Sequence, residues 1–156
     1  MKTSILLLWL VGLLSCTATE AVRQATCKAV ENYTTDVAQA NRWIQGDWTL
    51  TQQITMLANA PKPDLRLSFR GSTVTVIEDG RALAPMTYTI QQKQVIGTQA
   101  PVTLLSLTAQ TTPPVFQHFY LGANNDITLY LCEQELFLDG GIAFDAPGYI
   151  FHRQAK

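Results

Sequence analysis

The chain has 156 residues, of which 47% are hydrophobic and 15% are charged, and its formal net charge is -1. This length suits one domain with a sizeable core. The apolar content is too high for a disordered chain. The 11 Lys and Arg residues face 12 Asp and Glu residues, which excludes a polybasic nucleic-acid-binding protein. A single long apolar run also excludes a polytopic membrane protein.

The N-terminal residues have the pattern of an export signal. Lys2 precedes an apolar run at residues 5–14, which is shorter than the roughly 20 residues of a membrane span but suits the core of a signal peptide. The run ends in Leu13-Leu14-Ser15-Cys16, which resembles the lipobox of bacterial lipoproteins. The resemblance implies that residues 1–15 are a lipoprotein signal peptide and that Cys16 carries the lipid, such as palmitate.

The same resemblance predicts where the protein resides. Thr17 follows the cysteine where an aspartate would signal retention at the inner membrane, so we expect a lipid-anchored protein of the cell envelope, at the outer membrane. The alternative is a soluble secreted protein cleaved nearby. In either case residues 16–35 serve as a tether and lead-in to a domain at residues 36–156.

The remaining cysteines, Cys27 and Cys132, are an even number in an oxidising compartment, which favours a disulfide between them. The alternative is two unrelated buried thiols. Neither cysteine has a second Cys or a His at ligand spacing, so we predict no metal site.

A short helix is predicted ahead of the domain core. Val30, Tyr33, Val37, Ala40 and Ile44 recur at intervals of three and four residues, which is helical spacing. Thr35 or Asp36 can cap a helix that ends at about Trp43. We interpret the stripe as core packing.

After Gly46 the pattern changes to strict alternation of apolar and polar residues, which indicates strands with one face in water. Asp79-Gly80 and Gly71-Ser72 have the composition of tight turns. The predicted strands begin near residues 48, 65, 74 and 86 and continue at residues 102–109, 115–121, 126–133 and 148–153. Eight or nine antiparallel strands in one domain must close or fold over.

Two short patterns resemble the lipocalin and calycin family. Gly46-Asp47-Trp48 opens the first strand, and the last strand ends in an aromatic residue followed by His152 and Arg153. In that family a Gly-x-Trp opens strand one, and a basic residue near the chain end packs across the indole. The chain is also similar to small lipocalin-like lipoproteins of Bacteroidota. The resemblance implies an all-β, up-and-down antiparallel barrel of about eight strands, with Trp48 closing its floor under Arg153.

If Trp48 faces inward, period two places Leu50, Gln52, Ile54 and Met56 inward as well. Such a barrel is only just wide enough for its own side chains or one small ligand. A filled core and a ligand cavity therefore both remain open. The predicted ligand-lining residues are Leu50, Ile54, Met56, Phe69, Tyr88, Phe119, Tyr149 and Phe151.

The sequence contains little that suggests catalysis. His118 and His152 both alternate with apolar neighbours and are expected to face solvent, without a Ser, Cys or Asp partner at motif spacing. No phosphate-binding loop or nucleotide motif is present, so we predict no cofactor and no enzymatic activity. No Lys or Arg occurs between Gln94 and His152, whereas that stretch contains five acidic residues. This asymmetry can orient a partner or a cation, or simply solvate the surface.

Three functions are compatible with these features. The preferred one is a lipid-anchored, lipocalin-like protein that binds a small apolar ligand. The alternative is a protein-interaction module of the envelope, either a hydrolase inhibitor or an accessory subunit, with a filled barrel and no small ligand. An enzyme using His118 or His152 is the least favoured. None of the three involves nucleic acid.

Overall fold

The structure is a computed structural model that describes Cys27 and residues 33–56, 61–94, 100–110, 114–121, 125–141 and 145–155. The predicted signal peptide and Cys16 lie outside the described residues. Within those residues, no helix is long and apolar enough to cross a membrane.

A short helix, α1 (Val37–Trp43), precedes the strands, as predicted. The carboxylate of Asp36 accepts hydrogen bonds from the backbone N–H groups of Ala38 and Gln39 at 2.7 and 3.1 Å, so the helix begins at an N-cap of the favoured kind. Ala40 and Ile44 are buried in the core. Val37, Ala40 and Ile44 of the predicted stripe therefore pack with the core, whereas Tyr33 precedes the helix and Val30 lies outside the described residues.

The described residues form nine strands in one sheet. They are β1 (Gly46–Ile54), β2 (Leu65–Arg70), β3 (Thr73–Glu78), β4 (Arg81–Ala82), β5 (Met86–Lys93), β6 (Val102–Ala109), β7 (Asp126–Leu131), β8 (Glu135–Asp139) and β9 (Gly148–Arg153). Every pairing is antiparallel, and β1 pairs with both β2 and β9 while β2 pairs with β3. Eight strands therefore close into a barrel, and β4 is a two-residue addition at the end of β3. The predicted all-β, eight-stranded antiparallel barrel with a short helix is confirmed.

Tight turns join the first strands as the sequence predicts. Gly71, between β2 and β3, has φ +58°. Asp79 and Gly80, between β3 and β4, have φ of +49° and +77°, the positive values that a two-residue hairpin turn requires. β5 pairs with the start of β3, with Met86 opposite Val74, and so continues the barrel beyond β3.

The barrel interior is filled by large side chains that alternate along the strands. The largest of them, with less than 2% of their surface exposed, are Ile44, Trp48, Leu50, Leu65, Leu67, Phe69, Leu105, Ile127, Leu131, Leu136, Tyr149 and Phe151. Burying each such side chain contributes about 1.5–3 kcal/mol. The middle of the barrel is therefore a packed core.

The end of the barrel beside α1, which we call the floor, is closed by Trp48 and Arg153. The indole N–H of Trp48 donates to the carbonyl of Ile44 at 2.8 Å. The guanidinium of Arg153 lies 4.3 Å from the centre of the indole ring. It also donates to the carbonyls of Trp43 and Glu133. The stacking predicted for Arg153 on Trp48 is confirmed.

Cys27 joins the lead-in to the floor end of the barrel. It lies at disulfide distance from Cys132, with the two Cα atoms 6.4 Å apart. Cys132 directly follows β7, and the N–H of Thr34 donates to the carbonyl of Leu131 at 2.9 Å. The chain thus reaches the barrel at the floor. We call the opposite end, where β1 ends and β9 begins, the mouth.

We expect the Cys27–Cys132 bridge to be a major source of stability, because it closes a loop with a sequence separation of 105. Replacing both cysteines by serine should lower the free energy of unfolding by up to roughly 4–5 kcal/mol, measured by urea denaturation. The difference should vanish when both proteins are unfolded in reductant. Two freely reactive thiols at Cys27 and Cys132 without reductant would contradict the bridge.

Candidate functional site

The segment 114–121 lies across the mouth of the barrel. Residues 115–121 are rich in apolar side chains that suit either face of a strand, but the prediction of a strand there is wrong because this segment has no regular structure. Phe119 points into the barrel and is 3% exposed. Its ring centre lies 5.3 Å from that of Tyr149 and 5.5 Å from that of Phe116. We call residues 114–121 the mouth loop.

Glu78, the last residue of β3, holds the mouth loop in place. Its carboxylate is buried, at 6% exposure for the residue. One oxygen accepts the backbone N–H groups of His118 and Phe119, and the other accepts that of Gln117, each at 3.0 Å. A strand would give such N–H groups to a neighbouring strand. Here the carboxylate of Glu78 accepts these N–H groups, which explains why the mouth loop does not join the sheet.

Tyr149 supports the same loop from β9. Its hydroxyl accepts the N–H of Tyr120 at 2.8 Å and donates to the carbonyl of His118 at 3.0 Å. Burial raises the pKa of Tyr149 above its ordinary value of 10.0, the N–H of Tyr120 partly opposes this, and the nearby Glu78 carboxylate raises the pKa further. The phenol therefore stays protonated and keeps donating to the loop.

The raised pKa of Tyr149 predicts a loss of stability in alkali. The unfolded chain loses this proton near pH 10.0 and the folded chain only above it, so the stability that Tyr149 contributes is complete below that pH and falls as the pH rises through the raised pKa. Tyr149→Phe should cost about 1–2 kcal/mol at neutral pH from its lost hydrogen bonds. The difference in the free energy of unfolding between the wild type and Tyr149→Phe, measured by urea denaturation, should decrease above pH 10.0. A gap independent of pH would contradict this prediction.

On one side of the mouth loop lies a cleft of ≈ 540 Å³, which we call the mouth cleft. Its wall is the upper part of β5 and β6, with Met86, Leu107 and Ala109, and the mouth loop faces it with Phe116, Phe119 and Leu121. Tyr120 and Asn125 add polar side chains to its lining. The volume lies in the range of small-molecule sites, about 300–1,000 Å³.

A second cleft of ≈ 310 Å³ lies on the other side of the mouth loop, between Tyr149, His118 and the prolines Pro61 and Pro63. Gln53 also lines it. Gln53 reaches this position because β1 has a register shift between Leu50 and Gln52 against β9. The extra residue, Thr51, turns the following side chains to the opposite face.

That register shift corrects part of the predicted ligand-lining set. Trp48 and Leu50 face inward, but Gln52 is exposed, Ile54 is only half-buried, and Met56 is 73% exposed. The inward orientation predicted for Gln52, Ile54 and Met56 is therefore wrong. Period two fails after Leu50 because the bulge adds one residue to β1.

The other predicted lining residues are buried, but most of them lie in the packed core. Leu50, Phe69 and Phe151 are fully buried there. Tyr88 lies at the floor, where its hydroxyl donates to the carbonyl of Gly71 at 2.9 Å. Phe119 lines both clefts, and Tyr149 lines the smaller one.

Both histidines contact carboxylates at the surface. Nε2 of His118 lies 3.2 Å from Asp79, and Nε2 of His152 lies 3.4 Å from Glu135, which also accepts the hydroxyl of Tyr33 at 2.8 Å. Within the described part of the chain, no group of three or more His, Cys, Asp and Glu is arranged to hold a metal ion.

The sequence reasoning missed Glu78, Met86 and Leu107 as parts of the mouth. Glu78 follows Val74 and Val76 at period two. The alternation therefore indicates an inward-facing carboxylate just before the Asp79-Gly80 turn. Met86 and Leu107 are inward by alternation, but only the position of the mouth loop makes them the wall of a cleft. Comparison with family models, with curated protein sequences and with solved structures finds no match to this chain.

Proposed function

We propose that this protein is a lipid-anchored, lipocalin-like protein of the cell envelope, held at the outer membrane through Cys16, and that it binds a small apolar molecule in the mouth cleft. The observation that carries the proposal is the cleft of ≈ 540 Å³ between the β5–β6 wall and the mouth loop. Most of its lining residues have apolar side chains, while polar atoms contribute more than half of the lining surface that is exposed. We assign the protein a binding role and no catalytic one.

The path of the chain supports the orientation of this site. Cys27 lies at the floor end, beside Cys132, and the mouth cleft lies at the other end of the barrel. The eleven residues from Cys16 to Cys27 can extend at most roughly 40 Å. The floor would then face the membrane, and the mouth cleft would open away from it, toward a soluble ligand or donor.

Fluorescence titration tests ligand binding. Residues 27–155 contain every described element and both bridging cysteines, so a chain of residues 17–156 retains the barrel without the lipid anchor. We expect an environment-sensitive apolar fluorophore to bind this protein saturably, at about one per chain, with energy transfer from the indoles.

Ala109→Trp should abolish binding because the indole fills the mouth cleft. Thr89→Trp, an exposed change on β5 outside the cleft, should leave it unchanged. Absence of saturable binding by folded protein would contradict the proposal.

Exposed apolar side chains at the mouth favour a second candidate, an envelope protein-interaction module. Val115 is 84% exposed and Tyr120 is 48% exposed, and both belong to the mouth loop. Contiguous exposed apolar patches mark protein-interaction sites, and in this alternative the two side chains belong to such a site. In this alternative the fluorophore does not bind. Val115→Asp would then weaken the association with the partner protein while leaving the fold intact.

A further inference from the structure

The lining of the mouth cleft contains no charged side chain among the described residues. Residues 95–151, which include β6, the mouth loop and Asn125, contain no Lys or Arg. The undescribed residues 111–113 and 122–124, on either side of the mouth loop, are also uncharged in sequence. An anionic ligand would therefore find no counter-ion within the cleft.

Two carboxylates lie close to the mouth cleft, together with the exposed cation Arg81, which is opposite Glu78 in the β3–β4 pairing. The carboxylate of Glu78 lies directly behind the mouth loop, bonded to the N–H of Phe119 at 3.0 Å. Asp126 follows Asn125 at the edge of the cleft and accepts the hydroxyl of Ser106 at 2.5 Å. A carboxylate head group placed here would lose water and meet two like charges. Both effects disfavour its binding.

The polar groups at the edge suit a neutral ligand instead. Asn125 offers an amide that both donates and accepts, and Tyr120 offers a hydroxyl with the same capacity. Such groups satisfy an alcohol, an ester or an amide without a charge on either partner. The apolar wall, with Leu107 and Leu121, takes the hydrocarbon part.

From these observations we propose that the mouth cleft selects uncharged amphipathic molecules, with a hydrocarbon body and a hydroxyl, ester or amide end, and discriminates against fatty-acid anions. This inference rests on the proposed function, because it names the ligand class of the same site.

Competition between two matched probes tests the selectivity. An alkanoate and the alkanamide of the same chain length would each displace the fluorophore from residues 17–156 at neutral pH. We expect the amide to compete at least about tenfold more strongly than the carboxylate. Equal competition, or stronger competition by the carboxylate, would overturn the inference while leaving apolar binding intact. Failure of every probe to bind would overturn the proposed function and the inference together.

A charge variant separates the electrostatics of the site from the general hydrophobicity of the probes. Tyr120→Lys places a cation in the lining of the mouth cleft, at an exposed position whose backbone N–H bond to Tyr149 is retained. We expect it to strengthen carboxylate binding about tenfold and to remove the preference for the amide. Thr89→Lys adds the same charge on β5 outside the cleft and should leave the preference unchanged. An equal response of the two variants would show that the preference does not arise at this site and would overturn the inference.

Discussion

Replacing Glu78 by alanine is expected to lower the free energy of unfolding by about 3 kcal/mol, because it leaves three backbone N–H groups without their acceptor. Glu78→Gln retains the size and one acceptor oxygen, so it should cost less than the alanine variant. Urea denaturation measures both losses. The N–H groups concerned belong to the mouth loop, so the effect should be concentrated there.

Two further measurements show whether Glu78 acts through the mouth loop. The amides of Gln117, His118 and Phe119 should exchange with solvent at least about tenfold faster in Glu78→Ala, since their opening no longer breaks these bonds. Fluorophore binding should weaken, because the loop forms one wall of the mouth cleft. Asp79→Asn is the matched control, as this neighbouring carboxylate is exposed and contacts the His118 side chain. An equal effect of the Asp79 and Glu78 variants would contradict this role.

Replacing Arg153 by methionine should also destabilise the barrel by about 3 kcal/mol, in this case by opening the floor. The guanidinium donates to three carbonyl oxygens, those of Trp43, Gln45 and Glu133, and lies over the Trp48 ring. Charge-assisted hydrogen bonds contribute about 1.5–3 kcal/mol each, and the partial exposure of Arg153 reduces their sum. Burial lowers the pKa of Arg153 below its ordinary value, and the carboxylate of Glu133 opposes this in part.

Arg153→Lys should lose most of the same stability, because an ammonium group cannot reach three carbonyls and cover the indole at once. Arg66→Met is the control: Arg66 pairs with Asp64 at 3.1 Å, both side chains are nearly half exposed, and such a pair contributes about 0–1 kcal/mol. Gly46→Ala should disturb the floor independently, because its Cβ would lie 2.8 Å from Nη1 of Arg153 and Gly46 has φ +122°. Equal losses from Arg153→Met and Arg66→Met would contradict the role of Arg153.

Much of the barrel could be predicted because its signals are local. The Asp79-Gly80 turn, the cap at Asp36 and the alternation along β2, β3 and β5 each act within a few residues of chain. The last strand, Gly148–Arg153, was also predicted at its observed bounds. β8 was missed, since Leu136, Phe137 and Leu138 are consecutive apolar residues that hide the alternation.

The site could not be predicted in the same way, because it depends on contacts between distant residues. The bulge at Thr51 has no sequence signal, yet it determines that Gln53 faces the mouth and Met56 faces solvent. The mouth loop has the apolar composition of a strand, but the carboxylate of Glu78, 39 to 41 residues away in the sequence, accepts its N–H groups in place of a neighbouring strand. Alternation identifies which side chains can be buried but not which partner buries them.

The location of a bound ligand tests the central claim, that the mouth cleft and not the barrel interior is the binding site. The measurement is a crystal structure of residues 17–156 with a bromine-labelled, uncharged amphipathic molecule, in which anomalous scattering locates the bromine. We predict that the bromine lies between Leu107 on β6 and Leu121 on the mouth loop. Bromine inside the barrel among Leu50, Phe69 and Phe151 would contradict the claim, as would crystals of the folded protein that contain no bound molecule at a saturating concentration.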